Sequence, residues 1–126
     1  LSVSPELLVG GTFDLPHGAS MASDGTVWVL SNGLGPNAPS TAQGYRLSDP
    51  LELIAELAIP IEGARSPGLG SVELLEDTNT ALVNWGILGI VEEVSMTGER
   101  LWQVETSIGQ VLSMSTTADS VDAFFP

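Results

Sequence analysis

The chain predicts an all-β protein, a β-propeller fragment of about two four-stranded antiparallel blades with partial strands at both ends. Three observations carry this. The stretch HGASMASDGTVWVLSNG beginning at His17 recurs in pattern as GSVELLEDTNTALVNWG beginning at Gly70, a spacing of 53 residues. Short segments of period-2 alternation dominate, and helical spacing is scarce. Turn-forming clusters of Asp, Asn, Gly and Pro punctuate those segments at short intervals. A repeat near 50 residues built from short strands marks propeller blades, because each blade must bury its faces against neighbours.

The elements follow in order. Residues 18–23 and 26–32 read as strands joined by a tight turn at Asp24-Gly25, a pair that tolerates positive φ. Residues 43–48 and 51–59 follow, turned at Ser48-Asp49-Pro50. The stripe Leu51, Leu53, Ile54, Leu57, Ala58 also fits a helix, but Pro50 and Pro60 bracket only nine residues, so strand ranks above helix. The second copy supplies 70–76, 80–86, 89–96 and 100–106, turned at Asp77-Thr78-Asn79 and Thr97-Gly98. The copies differ after their second strands: a long irregular loop, 34–42, in the first and only Ile87-Leu88 in the second. Residues 6–9 read as the last strand of a preceding blade, and 110–118 and 121–125 as the opening strands of a following one. The domain reading is one propeller portion over 1–126, with blade copies at about 17–59 and 70–106 and partial strands at 6–9 and 110–125.

Length and composition leave room for one packed domain: 126 residues, 43% of them apolar. A closed propeller has roughly four to eight blades, so the remainder of the ring is expected elsewhere, in further blades or in other chains that cover the strand edges. The chain opens at Leu1 rather than Met, which suggests a processed or excised piece. Sixteen acidic residues stand against three arginines, for a formal charge of −13. That balance argues against nucleic acid and anionic membrane, which need clustered Lys and Arg. It fits a solvated surface or a salty medium. No cysteine is present, so disulfides and thiolate metal sites are excluded. No apolar run is long enough to insert in a membrane, and no secretory signal opens the chain.

Strand polarity gathers the candidate site. The start of the first strand, the end of the second and the connections between blades share one face of the ring, which collects His17, Asn32, Arg65, Ser66, Asn84 and Trp85 near the channel mouth. His17 is the single histidine, suited to nucleophilic or acid–base work or, alternatively, to a hydrogen-bonded turn. Arg65 is the natural anion ligand, or else a solvated loop arginine. Arg46 and Arg100 read as cross-strand partners of glutamates. Trp28, Trp85 and Trp102 read as packing between blades, with Trp85 also placed to stack at the mouth. No metal set arises from one histidine and turn aspartates, and GLGPN and SPGLGS lack the context of phosphate-binding loops.

The runs HGASMASDGTVWVLSNG, TAQGYRL, GLGSVELLEDTNTALVNWG and IVEEVSMTGERLWQV together resemble the C-terminal blades of the arylsulfotransferase-like propellers. The most specific portion is NTALVNWG followed by EEVSMTGERLW. The resemblance implies a six-bladed parent ring, a secreted or periplasmic location, no cofactor, and ping-pong transfer of a sulfuryl group from a phenolic sulfate donor to a phenol acceptor through a histidine. It gives His17 the catalytic position, as nucleophile or helper, with Arg65, Asn32, Asn84 and Trp85 as substrate-binding candidates. Where the family pattern carries arginines, this chain has Ser40-Thr41 and the run 111–116. The second reading is therefore a degenerate propeller that keeps the scaffold as a binding or structural module.

Overall fold

The computed structural model describes residues 13–34, 37–61 and 64–107. Among them there are two four-stranded antiparallel sheets and no α-helix, the arrangement expected of two propeller blades. The first sheet is a meander of β1 (Pro16–Met21), β2 (Val27–Ser31), β3 (Thr41–Arg46) and β4 (Glu52–Ala58). The second repeats it with β5 (Ser71–Leu75), β6 (Thr80–Asn84), β7 (Ile90–Ser95) and β8 (Arg100–Glu105). Segment 52–58 is a strand and not a helix, as its bracketing prolines require. The expected strands at 6–9, 110–118 and 121–125 lie outside the described residues.

One turn differs from expectation in length. The link at Asp24-Gly25 is a three-residue loop rather than a two-residue one: Ala22 N donates to Thr26 O at 2.9 Å, Gly25 N donates to Ala22 O at 3.0 Å, and Gly25 has φ +83°. Thr97-Gly98 builds the same loop, with Ser95 N on Glu99 O at 2.8 Å, Gly98 N on Ser95 O at 2.9 Å and φ +88° at Gly98. A glycine at the left-handed third position is what this hairpin class needs. The second copy's Ile87-Leu88 connection is a single 3-10 turn, Gly86–Leu88.

Neighbouring blades meet first through their inner strands. β1 leans on β5: Ser20 Oγ donates to Val72 O at 2.7 Å, and a Cβ on Gly18 would fall 2.3 Å from Gly70 O. At the tips, Ser23 N donates to Glu76 Oε1 at 2.5 Å and Ser23 Oγ to Glu76 Oε2, joining the same position of the two repeats. Between the sheets lies the core. Trp28, Leu30, Ala42 and Leu57 from the first sheet pack with Val72, Ala81, Val83 and Val94 from the second.

Trp28 and Ala81, like Leu30 and Val83, are 53 residues apart, yet both members of each pair enter this one core. Five residues link β1 to β2 and four link β5 to β6. In strands of period 2, a one-residue change in a link is enough to reverse the face that a position presents. The sequence repeat therefore marks the hairpins, not the side each one turns inward.

The outer strands are the exposed ones. Every residue of β8 is exposed, and Trp102 is 39% exposed with its Nε1 on Glu93 Oε2 at 2.6 Å. Trp102 thus lies outside the core shared by the two described sheets, unlike Trp28 and Trp85. The first sheet's other face carries an apolar cavity of about 390 Å³, lined by Phe13, Pro16, Ala19, Val27, Val29 and Tyr45 among others. Arg46 pairs with Glu52 at 2.5 Å and Arg100 with Glu92 at 2.7 Å, each a neighbour-strand partner.

Candidate functional site

The site lies where β1 begins, β2 ends and the segment linking the two sheets passes. Its hub is Asn32, fully buried just beyond β2. Asn32 Nδ2 donates to Ser66 O at 2.8 Å and to Leu69 O at 3.2 Å. Its carbonyl accepts from Ser40 Oγ at 3.0 Å and from Arg65 Nε at 3.2 Å. Its Oδ1 contacts His17 Nδ1, and its backbone N donates to Leu15 O at 3.5 Å. A buried amide must satisfy all its polar atoms, and this one does so by tying β2 to the inter-sheet segment.

His17 projects from β1 on the side shared with its cross-strand partner Leu30, and its ring is half-buried. Nδ1 lies 3.1 Å from Leu15 O in addition to its contact with Asn32. Arg65 is also half-buried, and its Nε is shared between Asn32 O and Gly33 O at 3.2 and 3.0 Å. Of the three arginines it alone has no ion pair among the described residues. The structure thus brings His17, Asn32, Arg65 and Ser66 into one network.

Two carbonyls in that network come from strained backbone. Leu15 has φ +48° and Leu69 φ +61°, a region costing about 1–3 kcal/mol for a residue with a Cβ. Such strain persists only where surrounding contacts over-determine it, and here the contacts are those of His17 and Asn32. Sequence reasoning did not find Leu15, Leu69 or Ser40. Leucine at positive φ leaves no pattern in a single sequence, and Ser40 draws notice only as the neighbour of Thr41, which stands where the family pattern has arginine.

Asn84 and Trp85 stand apart from this cluster. Asn84 is buried, with Oδ1 accepting from Gly86 N at 2.9 Å, a bond that shapes the turn after β6. Trp85 is wholly enclosed, and its Nε1 donates to Glu92 Oε1 at 2.7 Å. Glu92 is buried too and takes Arg100 Nε on its other oxygen. Its carboxylate is therefore doubly satisfied, which a charge in a core requires. The enclosed Trp85 ring offers no open stacking face. No cluster of three or more metal-ligating side chains occurs among the described residues.

Comparisons of the chain with protein-family models, with curated proteins and with solved structures return no match.

Proposed function

We propose that this chain is the C-terminal part of an arylsulfotransferase-like propeller, secreted or periplasmic, in which His17 accepts a sulfuryl group from a phenolic sulfate ester and passes it to a phenol. One observation carries the reading. The single histidine and the one arginine without an ion pair among the described residues both rest on Asn32, at the end of the strands and beside two strained leucines. An imidazole nitrogen would attack sulfur, the S–O(aryl) bond would break, and the phenolate would leave with that electron pair. The acceptor oxygen then attacks the same sulfur, the S–N bond breaks, and imidazole is restored while the acceptor's proton goes to solvent. The terminal guanidinium nitrogens of Arg65, which make no hydrogen bond among the described residues, would take the sulfuryl oxygens as charge gathers on them. Asn84 and Trp85 serve this reading by shaping the second blade, and Asn32 by holding the first. The apolar cavity on the first sheet's outward face fits a further blade of a six-bladed ring.

The test is a single turnover with 4-nitrophenyl sulfate. The chain should release one nitrophenolate in a burst and carry one SO3 group on His17, located by mass spectrometry under alkaline conditions. His17→Gln should show neither. A wild-type chain that takes up no SO3 overturns the reading and leaves the second one, a propeller module without turnover. A specific observation favours that second reading: the bonds of Asn32 Nδ2, Ser40 and Arg65 all end on backbone groups, carbonyls for each and also the Ser66 N–H for Ser40, as a purely structural joint would arrange them.

A further inference from the structure

We infer that Asn32 is a positioning residue that fixes the tautomer of His17, holding the proton on Nδ1 and presenting Nε2 as the nitrogen with the lone pair. The catalytic meaning of this inference rests on the sulfuryl-transfer reading; the tautomer itself does not.

The orientation of the Asn32 amide is decided inside the protein. Its far end faces two carbonyl oxygens, Ser66 O and Leu69 O. Only the NH2 group can donate to both; the reverse orientation would set Oδ1 against two acceptors. Oδ1 must therefore be the atom that meets His17 Nδ1. The second neighbour of Nδ1, Leu15 O, is also an acceptor and cannot be anything else. A ring nitrogen facing two acceptors and no donor carries the hydrogen, and in neutral imidazole the lone pair then belongs to Nε2. No hydrogen bond to Nε2 is formed among the described residues.

The arrangement also couples distant backbone to the histidine. Ser66 and Leu69 belong to the segment that carries the chain from the first sheet to the second, so the seating of the second blade sets the amide, and the amide sets the imidazole. Of the two acceptors, Oδ1 comes from a fully buried residue, whereas the contact with Leu15 O is exposed to competition from water. Asn32 is accordingly the partner that decides.

Because His17 is the only histidine, its two ring nitrogens can be read directly in the 15N-labelled chain. At a pH where the imidazole is neutral, Nδ1 should give the signal of a protonated nitrogen and Nε2 that of a bare one. Asn32→Leu should move both signals toward a tautomer average, and Asn32→Asp, which keeps the acceptor oxygen, should retain the Nδ1–H form. A wild-type Nε2–H signal overturns the inference, as does an unchanged tautomer in a folded Asn32→Leu chain or an averaged one in Asn32→Asp. If Asn32→Leu does not fold, the wild-type and Asn32→Asp spectra decide. In the nitrophenyl sulfate assay, Asn32→Leu should slow loading of His17 by about 10–100-fold, the usual effect of removing a partner that orients a histidine. Absence of loading in wild type would end the transfer reading while leaving the tautomer result standing.

Discussion

The ends of β2 and β6 occupy the same place in the two copies and use it differently. Ser31-Asn32-Gly33 and Asn84-Trp85-Gly86 both leave their sheets through a glycine at positive φ, +76° and +56°. In the first copy the residue before that glycine is an amide that gathers a histidine, an arginine and the inter-sheet segment. In the second it is an indole that fills the core and binds the buried Glu92. The entrance to the preceding strand differs in parallel: His17 in the first copy, Gly70 in the second. A Cβ at Gly70 would lie 2.3 Å from the Leu30 side chain, so the second copy has no room for a side chain where the first has its imidazole. One hairpin design thus gathers a polar network in one blade and fills the core in the next.

The largest expected effect of breaking this contrast is at Trp85. Trp85→Ala should lower stability in urea unfolding by about 3–5 kcal/mol, because it opens a cavity and removes a donor from a buried carboxylate. His17→Gln, at the other copy's half-buried entrance, should abolish sulfuryl loading with a far smaller change in the same unfolding midpoint. Equal destabilisation by the two would erase the distinction between a packed end in one copy and a polar one in the other.

A second contrast concerns how the copies fill their shared core. In the first, Trp28 faces Gly44 across the ladder; in the second, Ala81 faces Val94. The Trp28 ring covers Gly44 so closely that a Cβ there would sit 2.8 Å from it. Gly44→Ala should therefore cost about 1–3 kcal/mol in the same experiment, the usual range for overpacking. A neutral result would mean that the indole has slack to move.

The smallest effect lies at the blade tips. Hydrogen bonds from the Ser23 hydroxyl, then from its backbone N–H, hold the Glu76 carboxyl below the usual carboxylate range. A lowered folded value means that the clasp stabilises above the unfolded value, near 4.5, and is lost as pH falls through the folded one. Glu76→Gln should flatten the dependence of the unfolding midpoint on pH in that acid window. An unchanged slope would show that the clasp does not couple the blades.

Much of the architecture was legible from local chemistry. Period-2 patterning and turn residues located eight strands, because alternation and glycine-bearing loops act within a few residues. They also drew His17, Asn32, Arg65 and Ser66 to one end of the sheets, since strand direction alone places them there. Trp102 sits outside the core that Trp28 and Trp85 enter, because β8 is the outermost strand of its sheet, a position that alternation alone does not reveal.

What the sequence by itself determined is the set of hairpins, their order and the end of the sheets where polar residues collect; these follow from periodicity and chain direction. The tertiary structure decided which face each copy turns inward, because a one-residue difference between two links reverses it. It also decided that Asn32 is a hub of hydrogen bonds. That role depends on carbonyls of Leu15, Ser66 and Leu69, backbone groups whose positions arise only when the two sheets pack.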